Sequence, residues 1–390
     1  ESSMADKAES NRVRVSFVRE SVFSVPEVTP TYQIARLTNE DLAANKQTVT
    51  SDELRSDRMV SDQPEVGFDT GGSISVEYSG QTYKDWIEAA MCGTFDASPT
   101  DLTDVAVTAT APDTYAATGI DTNVLVGDWL YFNMDFTDPA NNGWKQVTAT
   151  GAGSITVSQA VTNDSASTGH IGGENIINGV EKRSYEVEKG FTDIAEYMRY
   201  SGMRLGTWDV SLTAGEIVTG SFAFMGTQLT TQSDTEFGST YTPASTTPVM
   251  NATSNVGEIV KDGAFLATCI QSISFTVENN LRSQMCVGSK FPSGIGYGRQ
   301  LITGTLTAYF EDLTLFNEML SHDDVSLVFS MYDIDGRSVV FEFPRVKFNT
   351  STPSADGVDT DVMENIEWTA IADDTGIYQM RLSMSDGGNP

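Results

Sequence analysis

The residues of this chain that could do chemistry are two histidines, three cysteines and 54 carboxylates among 390 residues. His170 and His322 stand in polar, turn-like segments, whereas a catalytic triad needs a histidine enclosed beside a nucleophile. The cysteines lack CxxC spacing and are odd in number, which argues against a zinc site and a disulfide scaffold. HExxH, P-loop and GxGxxG motifs are missing as well. We therefore expect no enzyme activity and no cofactor.

Two acidic stretches match calcium-binding loops only in part. DIDGRS, residues 333–338, has Ser338 where an EF-hand loop requires glycine. It fits a β-hairpin better, with Asp335 and Gly336 in the tight turn. SADGVDTD, residues 354–361, is a weaker candidate, so we expect no metal. No carboxylate pair stands out for glycoside hydrolysis, and a hydrolase with an unrecognised pair is left as a third alternative.

The charge of the chain is strongly acidic: 23 basic residues stand against 54 acidic ones, for a formal net charge of −31. Proteins that grip nucleic acid need a basic face, so stable DNA binding is excluded as a function. Solubility is one explanation of such acidity, and a surface that repels passing DNA is the other. The sequence shows neither a signal peptide nor an apolar run of membrane-spanning length, so we expect synthesis in a cytoplasm and no membrane partner.

The sequence pattern of the elements that would position functional residues occurs twice in the chain. ELRSDRMV at 53–60 returns as NLRSQMCV at 280–287, an offset of 227 residues (281 − 54). Strand-like runs flank both phrases, and each downstream run leads into an apolar stripe with helical spacing, which we expect to pack against a core. The stripes are Tyr83, Trp86, Ile87, Ala90 and Met91 in one half and Leu313, Leu315, Phe316, Met319 and Leu320 in the other. The sequence therefore predicts a mainly β fold with two β-sandwich units and one helix per unit.

The repeat divides the chain into units and connecting segments. Residues 96–178 interrupt the first unit with several short strand signals, which predict a small inserted β-barrel-like domain. Residues 230–262 are rich in Thr, Ser and Pro and predict a linker or arm. Residues 1–30 predict an N-terminal arm that becomes ordered only in an assembly. The first unit is then 31–95 plus 179–229, and the second is 263–390.

The order of the repeated segments resembles that of the tail tube (major tail) proteins of siphophages, the bacteriophages with long non-contractile tails. The segments that carry the resemblance are LRSDRMVSD, SISVEYSGQTYKDWIEAAM, RSYEVEKGFTDI, IVTGSFAFMG, FTVENNL, ITGTLTAYFED and FPRVKF. They cover most of residues 30–95, 180–228 and 265–375, and the insertion lies outside them. The resemblance implies two tandem tail-tube-like domains.

The same resemblance implies a non-enzymatic structural protein of the virion tail, made in the host cytoplasm. Copies would form rings that stack around a tape-measure protein, next to tail terminator and tip proteins, and DNA would pass through the bore during ejection. Most tube proteins have one unit per chain and six chains per ring. A chain with two units would then form a trimer with pseudo-sixfold symmetry, which we prefer to a hexamer.

Two sets of residues would serve such an assembly. The polar loops at about 46–70 and 277–302 would contact the adjacent ring or subunit, with arginines meeting carboxylates there; a mobile surface loop is the alternative. Acidic residues lining the bore would repel DNA phosphates within a Debye length of about 8 Å. The contact residues are Leu54, Arg55, Arg58, Leu281 and Arg282, and the lumen candidates are Glu77, Glu186, Glu188, Asp209 and Glu216.

The second function that fits the sequence is a virion or cell-surface adhesin or decoration protein. Its inserted domain would bind a receptor or glycan through exposed aromatic side chains. Trp129, Tyr131 and Trp144 are the candidates, although the same residues would also serve as the core of the insertion.

Overall fold

The computed structural model describes residues 7–96, 100–252, 256–261, 264–265, 269–355 and 357–388. In chain order, its first strands are β1 (Val13–Arg19), β2 (Thr31–Ile34), β3 (Asn39–Glu40), β4 (Ala43–Thr48) and β5 (Glu65–Glu77), followed by helix α1 (Lys84–Met91). Next come β6 (Asp101–Thr103), β7 (Val107–Thr110), β8 (Thr114–Ala117), β9 (Trp129–Met134), β10 (Gly143–Gly151), β11 (Ser154–Val157), β12 (Asp164–Ala166), β13 (Gly169–Gly172) and β14 (Glu174–Ile177). Short 3-10 turns lie at Ser10–Arg12 and Pro139–Asn141.

The remaining elements begin after the insertion. They are β15 (Tyr185–Phe191), β16 (Glu196–Thr213), β17 (Thr219–Gly226), β18 (Gln228–Ser233), β19 (Thr240–Thr242), β20 (Val256–Lys261), β21 (Ala264–Phe265), β22 (Ile270–Glu278), β23 (Arg282–Gln284), β24 (Gly294–Gly296) and β25 (Leu301–Tyr309). Helix α2 (Thr314–Ser321) is followed by β26 (Val325–Tyr332), β27 (Ser338–Ser354), β28 (Met363–Ile371) and β29 (Arg381–Ser385). The fold is therefore mainly β, as the sequence predicts.

One antiparallel row of eight strands runs through the whole molecule. Its order is β4, β5, β17, the second half of β16, β22, β25, β28 and the second half of β27, and the short β3 also pairs with β5. Apolar and polar residues alternate along its strands. In β22, Ile273, Phe275 and Val277 are buried, whereas the serines and threonines between them face outward. We call this array the central row.

Two smaller sheets cover the apolar face of the central row. The first contains β18, the first half of β16, β15, β1, β2 and β19. The second contains β14, β29, the first half of β27, β26, β20 and β21. The long strands β16 and β27 therefore change partners halfway and belong to the central row and to one smaller sheet each. This arrangement is sandwich-like.

A single hydrophobic core fills the space between these layers. Trp208 of β16 lies 6.4 Å from Phe341 of β27 between ring centroids, and Phe275 of β22 lies 5.2 Å from Phe341. Both halves of the chain contribute to this cluster of buried residues. A fully buried aromatic side chain contributes roughly 1.5–3 kcal/mol through removal from water, so the two halves stabilise each other.

The two helices occupy similar places but differ in burial. Helix α1 packs on β16, and its Trp86, Ile87 and Met91 are buried as the apolar stripe predicts. Helix α2 packs on β27, but Leu315 is its only fully buried side chain. Leu313 and Leu320 are 54% and 63% exposed, so the prediction that this stripe packs against the core is wrong for both.

Strand pairing follows the same order in the two halves of the chain. In the first half β15 pairs with β1 and β16, β16 with β17 and β18, and β5 with β17 and β4. In the second half β26 pairs with β20 and β27, β27 with β28 and β29, and β25 with β28 and β22. Each helix follows the corresponding strand, β5 or β25.

Register irregularities recur at matching positions as well. The β15–β16 pair shifts register between Tyr185 and Val187, and the β26–β27 pair shifts between Val325 and Leu327. The β16–β17 pair shifts between Leu205 and Thr207, and the β27–β28 pair shifts between Phe348 and Thr350. Such bulges bend a strand locally, and here they lie where β16 and β27 pass from one sheet to another.

The insertion forms a separate sheet with its own small core. Its strands pair in the order β12, β7, β8, β11, β10, β9, β13 and β6. The end strands β12 and β6 do not pair with each other in the described part of the chain, so the sheet is open and the expected barrel is not closed. β14, which the sequence assigns to the insertion, instead pairs with β29 of the second half.

The segments expected to be arms also contribute to the fold. β1 pairs with β15 along its whole length, and its Val15 and Phe17 lie in the core. The expectation that 1–30 becomes ordered only in an assembly is therefore wrong for β1. Residues 230–262 contain β19, which pairs parallel with β2, and isolated bridges join Val249 to Ser79 and Asn251 to Ile217. The connection therefore lies along the first half as far as Asn251, whereas its β20 pairs with β26 of the second half.

Candidate assembly surfaces

Two strand edges at opposite ends of the central row are unpaired. Within the described residues, β4 pairs only with β5, and residues 347–353 of β27 pair only with β28. Unpaired backbone donors and acceptors on an edge are a template for another strand. Pro353 removes at most one donor from the β27 edge, since proline lacks only its own N–H. The row can therefore be extended at both ends.

The outward face of the central row is polar and acidic. Ser221 donates to Asp209 at 2.6 Å, Ser73 donates to Asp41 at 3.1 Å, and similar hydroxyl contacts follow along the row. We call this surface, with Asp41, Asp69, Glu77, Asp209, Glu278 and Glu367 at its outward positions, the acidic face.

Basic groups near the acidic face lie beside the two bulges. Arg204 donates to the carbonyl oxygen of Ile295, and the Lys347 ammonium lies 2.6 Å from the Asp324 carboxylate. Both charged side chains therefore already have partners, whereas Asp209 and Asp41 on the acidic face accept from the serine hydroxyls of Ser221 and Ser73.

The structure places the lumen candidates in three different surroundings. Glu77 and Asp209 lie on the acidic face, and Glu216 is exposed in the turn between β16 and β17. Glu186 and Glu188 lie on β15 of the first smaller sheet and are 0% exposed. The chain itself encloses these two carboxylates, which argues against a lumen position for them. For the other three the lumen position stays a prediction.

Distant segments supply donors to the two buried carboxylates. Glu188 accepts from Arg14 at 2.8 Å, from Tyr241 at 2.8 Å and from the backbone N–H of Phe237 at 2.8 Å. Glu186 accepts from the hydroxyl of Tyr32. Burial, together with Glu186, raises the pKa of Tyr32, so this hydroxyl remains protonated and donates. Glu188 thus fastens the connection between the halves to β15, and Glu186 fastens β2 to the same strand.

The two long loops lie side by side. Residues 49–64 connect β4 to β5, and the second loop contains the small β23–β24 hairpin. Lys290 lies 3.5 Å from the Glu65 carboxylate, and the rings of Phe68 and Phe291 are 5.4 Å apart between centroids. The second loop therefore contacts the start of β5, directly after the first loop.

The predicted contact residues on these loops differ in their surroundings. Leu54, Arg55 and Arg58 are exposed, and Arg55 pairs locally with Asp57 at 2.6 Å. Arg282 is also exposed and donates to the carbonyl oxygen of Tyr297 at 3.0 Å.

Leu281 is the half-buried member of this set, with its side chain beside Gly206. Further exposed apolar side chains, which the sequence analysis did not select, are Met59, Val60, Met285 and Val287. All four lie within the repeated phrases 53–60 and 280–287, so the repeat itself was the available signal.

The aromatic residues of the insertion face the second half of the molecule. Trp129 donates its indole N–H to Glu342 at 2.8 Å, and Trp144 donates to Ser338 at 2.6 Å. The rings of Tyr131 and Trp144 are 5.3 Å apart between centroids. These contacts occupy the candidate glycan-binding residues and leave the adhesin alternative without its proposed site.

The sequence candidates for metal and acid–base chemistry have structural partners. His170 is buried beside Asp101 at 2.7 Å, and His322 ends α2. DIDGRS forms the expected hairpin turn, but of its two central residues only Gly336 (φ +88°), and not Asp335, has a positive φ. The Asp333 carboxylate accepts backbone N–H groups in this turn.

The other candidate calcium-binding segment, residues 354–361, is described only in part, because Asp356 lies outside the described residues. No group of three or more metal-ligating side chains occurs among the residues described. None of the described helices is long and apolar enough to cross a membrane.

The strand pairing, the open edges and the acidic face describe a β-rich structural subunit. A family model described as phage tail tube protein matches residues 10–370. The chain therefore belongs to the phage tail tube protein family, whose members are structural proteins of the virion tail. A comparison with curated proteins finds no match.

Proposed function

We propose that three copies of this chain close into a ring of the siphophage tail tube, and that the rings stack to form the channel for DNA. The observation that carries the proposal is the junction between the two halves. There the free edge of β16 pairs with β22 of the following unit. β27 and β4 are the corresponding strands at the other unit edges, and the outer edge of each is unpaired within the described residues.

The junction inside the chain specifies the register of the junction between chains. Inside the chain, Asp209 pairs with Thr276 and Trp208 pairs with Val277. The matched bulges place Thr352 at the position of Asp209 and Ser351 at that of Trp208. The matched pairing of β5 and β25 places Ala43 at the position of Thr276 and Ala44 at that of Val277. Thr352 of one copy would therefore pair with Ala43 of the next.

Duplication of one unit underlies this mapping. The common order of strand pairing and the recurring bulges support two tandem tail-tube-like domains, with boundaries near 31–95 plus 179–229 and 263–390. β1 then belongs to the first domain. A heterologous interface that repeats closes into a ring when its rotation permits. A ring of three chains with two units each contains six units. It therefore corresponds to a ring of six chains with one unit each.

Closure would place the acidic face on one side of a continuous barrel. We assign that side to the bore, because the other face of the central row is covered by the core and the smaller sheets. Carboxylates there would repel DNA phosphates at distances within about 8 Å at physiological salt. The paired loops would contact the adjacent ring through Leu54, Arg55, Arg58, Leu281 and Arg282. A tape-measure protein and the terminator and tip proteins would be further partners.

Electron microscopy combined with cross-linking tests this proposal. Ala43→Cys and Thr352→Cys are introduced together after Cys269 and Cys286, the two exposed cysteines, are replaced by serine. We expect rings with threefold symmetry and, on oxidation, covalent trimers. Ala43→Cys with Asp121→Cys, in the insertion, is the matched control and should not cross-link. Monomers at concentrations above about 100 μM, or rings of six chains, would contradict the trimer.

A further inference from the structure

The C-terminal end of α1 is covered by the other half of the same chain. The carbonyl oxygen of Ala90 accepts hydrogen bonds from Asn279 and Gln300, both at 3.0 Å, and Ala90 is 0% exposed. Cys92, which ends the helix in the left-handed region, has its Sγ 3.9 Å from Oδ1 of Asn279. The residues that cover α1 therefore directly follow β22 and directly precede β25.

The corresponding end of α2 lacks this cover. His322 ends α2 in the left-handed region, as Cys92 ends α1, which places Leu320 at the position of Ala90. Leu320 is nevertheless 63% exposed. The two helices lie on corresponding strands, so the difference arises from the strand that lies beside each of them. β16 has β22 beside it, whereas residues 347–353 of β27 pair with no strand on that side within the described part of the chain.

The register of the proposed junction identifies the missing cover. Lys46 pairs with Phe68 in the β4–β5 hairpin. By the same alignment that matches Ala43 with Thr276, Lys46 stands at the position of Asn279 and Phe68 at that of Gln300. Lys46 is exposed and makes no ion pair within the described chain. Its ammonium group can donate to a carbonyl oxygen, as the Asn279 amide does.

We infer that the β4–β5 hairpin of the next copy covers α2, with Lys46 at the C-terminal end of the helix and Phe68 beside Leu320. A cation is favoured at that end of a helix, where backbone carbonyls and the negative end of the dipole face outward. Asp323 and Asp324 lie just beyond the helix; Asp324 is already paired with Lys347 and Arg345, and Lys347 donates to the carbonyl oxygen of His322, whereas Asp323 has no such cation within the described residues. The alkyl stem of a lysine also covers apolar surface such as Leu320. This inference rests on the proposed ring and specifies one contact within it.

Cross-linking between different chains tests the contact. One protein carries Lys46→Cys and a second carries His322→Cys, each with Cys269 and Cys286 replaced by serine. The second substitution places a cysteine where the first half has Cys92, so the backbone conformation is one that cysteine already adopts in this fold. After mixing and oxidation of assembled rings, we expect a disulfide between the two proteins. Asp121→Cys in place of Lys46→Cys is the control and should give none.

The outcomes separate this contact from the ring itself. Rings that form without the cross-link would overturn the contact and leave the ring intact. Failure of the unmodified protein to form rings would overturn both. A cross-link from α2 to another tail component, in place of the next copy, would assign the helix face to that partner and contradict the inference.

Substitutions of Lys46 give an independent measurement. Lys46→Glu should raise the protein concentration needed for ring formation by about tenfold, because a carboxylate then meets the helix C-terminus and its acidic neighbours. Lys46→Asn should assemble nearly as well as the wild type, because asparagine performs this task for α1. Equal assembly of all three proteins in sedimentation experiments would count against the contact.

Discussion

At the scale of single residues, the buried carboxylates show the limit of pattern-based prediction. Tyr185 and Val187 alternate with Glu186 and Glu188, which is the pattern of a strand with one apolar and one solvated face. In the structure both faces are covered, because segments near Tyr32 and Tyr241 lie over the acidic side. Those segments are distant in sequence, and strand periodicity carries no information about them.

Glu188→Ala should reduce the free energy of unfolding by about 3 kcal/mol. The substitution removes the 2.8 Å partner of Arg14, which keeps Glu236 at 3.2 Å, and it leaves the Tyr241 hydroxyl and the backbone N–H of Phe237 without their Glu188 acceptor. Breaking a buried pair and leaving buried donors unsatisfied are both destabilising. Glu53→Ala in the exposed loop is the control, with an expected change of less than about 0.5 kcal/mol. Urea midpoints of the two variants check the prediction, and equal midpoints would refute it.

At the scale of elements, the sequence predicts the two strand–helix–strand units because each apolar pattern is local. The partner exchange of β16 and β27 was not predicted, because a strand that crosses between sheets has the same period of two throughout. The docking of the insertion on the second half was also missed. Its contacts involve Trp129, Glu342 and Arg381, which are widely separated in the sequence.

The pH dependence of stability should report on this docking. Burial raises the pKa of Glu342, although hydrogen bonds from Trp129 and Gln146 and the charge of Arg381 oppose the shift. The folded state therefore holds this proton more tightly than the unfolded state. Its stabilising contribution is complete below the unfolded pKa of about 4.3 and is lost as the pH rises through the folded pKa.

Glu342→Gln removes this titration. We therefore expect wild type to lose stability relative to the variant as the pH rises from about 4 towards neutrality. Urea unfolding of both proteins at a series of pH values measures the difference. A difference that stays constant across the series would show that Glu342 titrates alike in the folded and unfolded states.

At the scale of the whole molecule, the sequence predicts acidity but not its placement. Asp209 and Glu77 were selected as lumen candidates, whereas Asp41, Asp69, Glu278 and Glu367 share the acidic face and were not. Only the order and register of the central row bring them to one surface. The net charge reflects how many acidic residues the chain contains, whereas the strand pairing determines which of these residues are neighbours in the structure.

Charge reversal on the acidic face should make the tube retain DNA. We expect assembled tubes with Asp209→Lys and Glu278→Lys to hold linear duplex DNA at about 50 mM salt and to release it at about 200 mM, because phosphate contacts weaken steeply with salt. Asp113→Lys and Asp121→Lys, in the insertion, change the net charge equally and should not cause retention. Infection assays should show slower ejection for the first pair only.

The pairing of β14 with β29 affects how this protein can be engineered to display foreign peptides. Excision of residues 96–178 as a detachable module would take a strand away from the second half and bare the edge of β29. A foreign peptide is better displayed at the tight turn between Gly151 and Ser154, at the far end of a hairpin of the insertion, where added length disturbs only that tip.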